Sequence, residues 1–151
     1  MTPEQANQIA DLLNSRNNLI APYTADKIHN YSNQYLFELE GEQVIACIRT
    51  RKVQWYQCEI RHLVVKEGFE RRGLGRKMIE LAEDVAKQST TRVVQCTIRA
   101  DNAGAEQTFR SCGYQRVSSF YYPKSQHSLG IWQKTICFRA EPALPPLFLE
   151  Y

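Results

Sequence analysis

A glycine-containing segment between two regular elements carries the residues best suited to bind an anion. Residues 63–77, LVVKEGFERRGLGRK, pass from a strand-like stretch through a turn into a helix-like stretch. Gly73 and Gly75 have no Cβ, so the backbone there can approach a ligand closely. The first amides of a helix lack intrahelical partners and, together with the helix dipole, favour an anion. Four cations surround this turn, namely Arg71, Arg72, Arg76 and Lys77. The segment predicts a polyphosphate site, although a glycine turn with a solvated basic cap explains these residues equally well.

The two common nucleotide-binding motifs do not fit this segment. A Walker A loop needs a lysine directly after its last glycine, and here Arg76 follows Gly75. A Rossmann fingerprint needs a third glycine or alanine where this chain has Met78, and it lies early in a chain. Neither nucleotide-binding motif therefore explains the segment.

Two segments, in this order, resemble the GNAT superfamily of N-acetyltransferases. Residues 59–86, EIRHLVVKEGFERRGLGRKMIELAEDVA, resemble its acyl-coenzyme A motif, in which a strand, the pattern R/Q-x-x-G-x-G/A and a helix follow one another. Residues 99–117, RADNAGAEQTFRSCGYQRV, resemble its N-x-x-A-x-x-x-Y-x-x-x-G-F segment, and four positions match, namely Asn102, Ala105, Gly113 and Tyr114. The resemblance covers residues 34–138. It implies an acyl-CoA-dependent N-acetyltransferase that uses acetyl-CoA as a co-substrate and needs no metal.

The sequence departs from the family pattern at two positions. Glu70 stands where the family usually has arginine or glutamine, and Phe109 stands where it usually has a tyrosine that acts as a general acid. The first departure is compatible with binding, because backbone amides are the main partners of the pyrophosphate. The second leaves the acid open. Tyr121 and Tyr122, on the strand after the second segment, are the candidates, with Tyr114 and water as alternatives; aromatic packing explains these tyrosines too.

The resemblance also implies which residues contact acetyl-CoA. The backbone of Leu63, Val64 and Val65 would bond to the pantetheine arm and the thioester oxygen, Asn102 would bond to the pantetheine, and Phe109 would pack against the arm. The glycine turn would hold the pyrophosphate through Arg71, Arg72, Gly73, Leu74, Gly75 and Arg76. Asn102 suits a helix N-cap equally well, and the two roles are compatible.

An amine that attacks a thioester must lose a proton, and Glu59 is the carboxylate that we expect to accept it. By resemblance, some family members carry a catalytic glutamate at this place on the strand. Alternation puts Glu59 on the same face as Arg61, Leu63 and Val65. A structural pairing with Arg61 is the competing interpretation.

His62 is the rival base by chemistry. It alternates with Cys58 and Ile60, which are apolar, and we therefore expect a packed strand histidine. His29 and His127 lie in polar segments and are expected at the surface.

Hydrophobic periodicity predicts the elements that position these residues. Helices are predicted over 3–15, 24–30, 74–87 and 102–112, and strands over 34–40, 43–51, 53–65, 92–99, 114–122 and 131–139; the segment 53–65 is either one strand or two strands joined at a bend. The apolar stripe of the third helix is predicted at Leu74, Met78, Leu81, Ala82 and Val85. This order predicts an α/β (α+β) fold with a mixed sheet. The resemblance adds a mostly antiparallel, twisted sheet flanked by helices, with a V-shaped opening for acyl-CoA.

Length and composition predict one domain. The chain has 151 residues and a formal charge of +3, with 43% hydrophobic and 23% charged residues, which is ordinary for a globular protein. We divide it into an N-terminal helical region on the acceptor side (1–33), a core (34–139) and a proline-rich apolar tail (140–151). No apolar run is long enough for a membrane span, and the N-terminus does not resemble a signal peptide.

Five cysteines, an odd number without any C-x-x-C pair, lie mostly in apolar strand-like runs. Such cysteines behave as small buried hydrophobes, and a reducing cytoplasm is the expected compartment.

The sequence therefore predicts transfer of an acetyl group from acetyl-CoA, by direct attack, to a primary amine of a small molecule or a protein. The alternative is a catalytically inactive protein that binds acyl-CoA on the same fold. A nucleic-acid-binding domain ranks last, because no aromatic stacking platform accompanies the basic cluster. We expect neither a nucleic-acid nor a membrane partner, and the apolar tail favours a homodimer.

Overall fold

The regular elements follow the periodicity of the sequence. The computed structural model describes residues 1–16 and 21–136. Its helices are α1 (Pro3–Arg16), α2 (Ala25–Asn30), α3 (Leu74–Lys87) and α4 (Ala103–Ser111), with a 3-10 turn at Ser32–Gln34. Its strands are β1 (Tyr35–Glu40), β2 (Gln43–Gln54), β3 (Gln57–Val65), β4 (Val93–Arg99), β5 (Gln115–Tyr122) and β6 (His127–Thr135).

Local capping explains where the first two helices begin. The Gln5 amide donates to the Thr2 hydroxyl at 3.1 Å, and the Gln5 side chain accepts from the Thr2 amide at 2.8 Å, which is a reciprocal capping box. Thr24 accepts from the Lys27 amide and caps α2. These starts agree with the sequence-based prediction.

The six strands of the described residues form one sheet in the order β1-β2-β3-β4-β6-β5. Neighbours are antiparallel except β3 and β4, which run parallel. The predicted mixed, mostly antiparallel sheet flanked by helices is confirmed.

The two faces of the sheet are covered by different helices. The main core contains α3 and α4 residues such as Met78, Ile79 and Phe109, together with Ile60 and Trp132 from the strands. A second core under α1 and α2 contains, among others, Ile9, Leu13, Ile28 and Tyr35. The second core covers the half of this sheet face that β1, β2 and β3 form, and among the described residues it does not extend over the half that the other strands form.

Two predicted strand boundaries are wrong. The segment 53–65 is divided at Trp55–Tyr56, as the alternative of two strands joined at a bend predicts, but its first part belongs to β2, which continues to Gln54. The loop predicted over 123–130 is a short turn, and β6 already begins at His127. Neither turn is marked by a glycine, which explains why the sequence pattern did not fix the position of the first and overextended the second.

The predicted apolar stripe of α3 is rotated by about one position. The helix buries Met78, Ile79, Ala82, Glu83 and Ala86. Leu81 and Val85, which belonged to the predicted stripe, are exposed. The buried Glu83 carboxylate explains the error, because it receives Lys134 Nζ at 2.9 and 3.0 Å and so occupies a place that hydrophobicity assigns to an apolar residue.

Several predictions lie outside the described residues. They concern residues 17–20 of the N-terminal region, the end of the strand predicted over 131–139, Cys137 and the tail 140–151. Among the described residues, no helix has the length and hydropathy needed to cross a membrane.

Candidate functional site

A bulge in β3 creates an opening in the sheet. Cys47 pairs with Val64 and Arg49 with Arg61, so β3 has one residue more than β2 between these pairs. His62 lies in this interval with φ +53°, a left-handed conformation that is rare for a residue with a Cβ. The parallel pairing of β3 with β4 ends at Ile60–Cys96, although β3 continues for five more residues. We call the space between the separated ends of β3 and β4 the opening.

The bulge also corrects a prediction about faces. Leu63 and Val65 pack against the main core, on the side of Cys58 and Ile60. They therefore do not share the face of Glu59, because the extra residue reverses the alternation.

The glycine turn, residues 66–73, follows the end of β3 and leads into α3. Gly73 is the N-cap of α3 with φ +75°, and no side chain caps the helix. Arg71 also has a positive φ, of 61°. The first amides of α3 therefore have no carbonyl partner within the helix, as an anion site requires. A Cβ on Gly75 would lie 3.4 Å from Thr108 Cγ2, so this glycine lets α3 approach α4 closely.

Carboxylates pair with most of the basic residues around the glycine turn. Arg72 lies 3.8 Å from Glu40, Arg76 3.0 Å from Glu80 and Lys77 2.7 Å from Glu38. These pairs are exposed and contribute little to stability. The side chains are therefore free to exchange a carboxylate for a phosphate at low cost.

Glu70, the residue that departs from the family pattern, links the turn to α1. Its carboxylate pairs with Arg16 at the end of α1 and accepts from the Gly68 amide at 3.4 Å. The negatively charged side chain of Glu70 thus already occupies part of the turn.

Asn102 and Phe109 have structural roles in α4. Asn102 Oδ1 accepts from the Ala105 amide at 3.1 Å, so the N-cap interpretation is confirmed. Phe109 is 4% exposed and its ring meets Tyr114 edge to face, 5.1 Å between centroids. Core packing accounts for Phe109 in this structure, and its predicted contact with the pantetheine arm stays a prediction.

Glu59 lies on β3 just before the opening, on the face opposite the main core. Its carboxylate accepts from Arg51 Nε at 2.8 Å and lies 4.0 Å from Arg61 Nε. The side chain is 19% exposed, so solvent reaches it. The expected pairing with Arg61 is present, and Arg51 adds a closer partner that alternation along one strand did not reveal.

The structure does not bring Tyr121 and Tyr122 close to Glu59. Cys96, at the last β3–β4 pair, pairs with Trp132, whereas Tyr122 pairs with His127, five residues further along β6. At about 3.4 Å per residue this is a separation of roughly 17 Å along the strand. Both tyrosines are well exposed on the edge strand β5. Tyr114 is buried in the main core, and burial raises the pKa of its hydroxyl.

His62 is more than a packed strand histidine. Its Nε2 lies 2.6 Å from the Tyr23 hydroxyl and its Nδ1 lies 3.0 Å from the Tyr35 hydroxyl. Burial, together with the charges of Arg61 and Arg49, lowers the pKa of His62 to about 4. We call these three residues the tyrosine–histidine cluster. Sequence reasoning missed it, because Tyr23 and Tyr35 are 39 and 27 residues away from His62 and no local pattern joins them.

These features fit a long ligand with a phosphate group and an extended arm. The separated strand ends offer unpaired backbone edges to an extended chain, and the amides at the start of α3 offer donors to a phosphate. No group of three or more metal-ligating side chains occurs within 1–16 and 21–136.

A comparison with protein families identifies one family. The acetyltransferase (GNAT) family model matches residues 7–114. Curated protein sequences include no match. These findings give no support to the alternative of an inactive acyl-CoA-binding protein.

Solved structures share the fold. The yncA protein of Salmonella typhimurium, solved with its cofactor acetyl-CoA, is 17% identical with a TM-score of 0.78, and the match covers 96% of each chain. Ard1 from Thermoplasma volcanium is 17% identical with a TM-score of 0.77, covering 91% of this chain and 95% of that one. The ribosomal-protein-S18-alanine N-acetyltransferase from Escherichia coli is 17% identical with a TM-score of 0.74, covering 96% of each chain.

Proposed function

Since this chain belongs to the GNAT acetyltransferase family and takes its acetyl group from acetyl-CoA, we propose that it transfers that group to a primary amine by direct attack. One observation carries the proposal: the opening begins after Ile60–Cys96, one residue beyond Glu59, on the strand that leads through the glycine turn to the uncapped start of α3. A donor bound from the α3 side and an acceptor bound from the Glu59 side would meet there.

The donor side is assigned to the chain's own backbone and cations. Acetyl-CoA supplies the acetyl group as a thioester. We assign the arm to the backbone edge of Leu63, Val64 and Val65, because this edge has no β4 partner. We assign the pyrophosphate to the amides and cations that surround the start of α3, namely Arg71, Arg72, Gly73, Leu74, Gly75 and Arg76. Asn102 keeps its side-chain amide group for the arm while its oxygen caps α4.

Glu59 is assigned as the base that removes a proton from the acceptor ammonium. It is a solvent-reached carboxylate beside the opening, and Arg51 fixes the orientation of one of its oxygens at 2.8 Å. The neutral amine then attacks the thioester carbonyl carbon. Because β6 lies between the opening and the edge strand β5 that carries Tyr121 and Tyr122, they are weaker candidates for protonating the thiolate than their position in the sequence suggests.

The acceptor belongs to one of two classes, a small-molecule amine or a protein amine. The Escherichia coli neighbour is named for acetylating an alanine of a ribosomal protein, which supports including peptides with a free N-terminal amine among the candidates. The four described cysteines are unpaired and buried, which supports a reducing compartment such as the cytoplasm. A single domain and a homodimer remain part of the proposal, and a monomeric mass by light scattering would contradict the dimer.

The experiment measures binding and turnover separately. Titration calorimetry gives the Kd of acetyl-CoA, and release of the CoA thiol gives the rate with four amines: a peptide with a free N-terminus, a peptide whose only amine is a lysine, spermidine and hydroxylamine. Glu59→Gln should lower kcat about 100-fold or more at unchanged acetyl-CoA affinity.

The matched control is Glu42→Gln, which removes an exposed carboxylate in the β1–β2 turn. It should leave both quantities at the wild-type level. A wild-type protein that binds acetyl-CoA and acetylates none of the four amines would contradict the proposed function, and a Glu59→Gln variant with normal kcat would contradict the role of Glu59.

A further inference from the structure

The tyrosine–histidine cluster lies where the reacting atoms are expected. His62 is the left-handed residue of the β3 bulge, and the β3–β4 pairing ends only two residues earlier, at Ile60. A residue with a Cβ in this conformation costs of order 1–3 kcal/mol and persists only when its surroundings hold it. The two tyrosine hydroxyls at 2.6 and 3.0 Å provide that hold.

Tyr23 is fixed by its backbone as well as by its hydroxyl. Its amide donates to Asn14 Oδ1 at 2.8 Å, and its carbonyl accepts from Asn14 Nδ2 at 2.9 Å. The α1 helix therefore holds this residue at two points, while His62 holds the hydroxyl. The side chain is half-buried, so one side of it remains accessible.

The other tyrosines near the site are poorly placed to serve as the acid. Phe109 has no hydroxyl, Tyr114 is buried in the main core, and the two tyrosines of β5 are exposed on the edge strand, with β6 between them and the opening. Tyr23 is held beside the residue that creates the opening. Tyr23 thus offers a hydroxyl on the face of the sheet opposite α4, the helix on which the family pattern places one.

The number of donors and acceptors determines which residue of the cluster donates a hydrogen bond to which. A neutral imidazole has one donor and one acceptor nitrogen, so one tyrosine donates to His62 and the other accepts from it. Burial raises the pKa of Tyr35 to about 12, so its hydroxyl keeps its proton. The guanidinium of Arg49 acts on the Tyr35 hydroxyl through its charge and through a hydrogen bond, and both favour electron density on the Tyr35 oxygen. This arrangement leaves the Tyr35 proton for His62 Nδ1, and His62 Nε2–H then donates to Tyr23.

We propose that Tyr23 transfers the proton between the attacking amine and the departing sulfur, and that His62 is the positioning residue that holds the Tyr23 oxygen for this step. The inference rests on the proposed acetyl transfer to an amine. After attack, the C–S bond breaks and its electron pair goes to sulfur. The Tyr23 hydroxyl gives its proton to that sulfur and takes one from the nitrogen, so Tyr23 ends neutral. His62 Nε2–H occupies the second lone pair of the Tyr23 oxygen throughout, and Glu59 keeps its separate role of deprotonating the incoming ammonium.

The test compares Tyr23→Phe with Tyr31→Phe at saturating acetyl-CoA and with the four amines named above. Tyr31 is an exposed tyrosine at the end of α2, outside the cluster. Tyr23→Phe should lower kcat about 100-fold with the Kd of acetyl-CoA unchanged, whereas Tyr31→Phe should match the wild type. A Tyr23→Phe variant within threefold of the wild-type kcat, in an active enzyme, would overturn this inference and leave the proposed function intact.

His62→Gln tests the positioning role, because a glutamine amide also donates a hydrogen bond. It should lose about tenfold in kcat, and the double variant with Tyr23→Phe should be no slower than Tyr23→Phe alone. Additive losses would show that His62 acts independently of Tyr23 and would contradict its positioning role.

A readout without turnover comes from the ¹⁵N spectrum of the His62 ring. We expect the proton on Nε2 in the wild type, and a changed Nε2 signal in Tyr23→Phe but not in Tyr31→Phe. A wild-type ring protonated on Nδ1 would contradict the direction of the cluster. Failure of the wild type to acetylate any of the four amines would instead remove the proposed function, and this inference with it.

Discussion

The proposed donor and acceptor sides of the opening are held in different ways. On the donor side, the glycine turn and α3 present backbone groups, and α3 and α4 pack on the main core. On the acceptor side, side chains from three separate segments meet, as Tyr23, Tyr35 and His62 do over a second, smaller core. Backbone donors depend on local sequence, whereas a side-chain cluster depends on the whole fold. The donor side can therefore be predicted from local sequence, whereas the acceptor side can be recognised only in the folded chain.

The stability of the donor side should depend most on the Glu83–Lys134 pair. Glu83 is 5% exposed at its side chain, and Lys134 Nζ lies 2.9 Å from it. Lys134→Met leaves a buried carboxylate without its cation, so we expect a loss of about 3 kcal/mol in the free energy of unfolding in urea. Lys87→Met, which removes an exposed cation 3.7 Å from Asp84, should cost less than about 0.5 kcal/mol. Equal losses in the two variants would show that the buried pair does not anchor α3.

Acetyl-CoA affinity should depend on the backbone at Gly73. Gly73→Ala puts a Cβ on a residue with φ +75°, which costs roughly 1–2 kcal/mol in the left-handed conformation, so the helix start either strains or rearranges. We expect acetyl-CoA to bind about tenfold more weakly by calorimetry. Gly68→Ala is the matched control, because Gly68 lies in the same turn with φ +87° and, like Gly73, has open space where a Cβ would lie. If Gly73→Ala and Gly68→Ala bind acetyl-CoA equally weakly, strain anywhere in the turn explains the lost affinity, and the backbone of Gly73 has no special role.

The contrast between local backbone groups and side chains from distant segments explains which features the sequence predicts. The bounds of α3 and the N-cap at Asn102 follow from residues within a few positions, namely a left-handed glycine before one helix and an asparagine before the other. Their prediction needed only local chemistry. The fold class followed in the same way, from the order of such elements.

The missed features depend on residues that are distant in sequence. The bulge at His62 carries no glycine, and tertiary contacts with Tyr23 and Tyr35 stabilise its conformation. The burial of Glu83 could not be predicted for the same reason, because the cation that pairs with it, Lys134, lies 51 residues away. Hydrophobic periodicity treats such a carboxylate as solvent-exposed, and it treats such a histidine as an ordinary strand residue.

The acceptor side should lose stability in acid through His62. The pKa of this ring is about 4 in the folded protein and about 6.5 in the unfolded chain, so the unfolded state binds more protons between pH 4 and pH 6.5. Stability is therefore fully present above pH 6.5 and is lost as the pH falls towards 4. Charged and titratable groups that face the ring are Arg61, Arg49, Tyr23 and Tyr35. After allowance for solvent screening we expect a loss of about 1 kcal/mol.

The measurement is urea unfolding at pH 7 and pH 4.5 for the wild type, His62→Gln and His29→Gln. His62→Gln should show the smaller loss of unfolding free energy on acidification, because it has no ring to protonate. His29 is exposed at the end of α2, so His29→Gln should keep the wild-type dependence. If the two variants respond alike, protonation of His62 does not couple to folding.

The smallest effect is expected at Glu70, which links the glycine turn of the donor side to α1 of the acceptor side. This carboxylate pairs with Arg16 of α1 and accepts from the Gly68 amide, so it places a negative charge in the turn that would receive a pyrophosphate. Glu70→Gln keeps the acceptor oxygen for the Gly68 amide and removes the charge. We expect acetyl-CoA to bind about threefold more tightly, or about 0.6 kcal/mol, and the gain to shrink when the Debye length falls from about 10 Å at 0.1 M salt to about 3 Å at 1 M. Asp84→Asn, which removes an exposed charge near the far end of α3, is the control and should leave the affinity unchanged. Weaker binding by Glu70→Gln would mean that the carboxylate acts through Arg16 to hold the turn in shape, and the donor side would then depend on α1 as much as the acceptor side does.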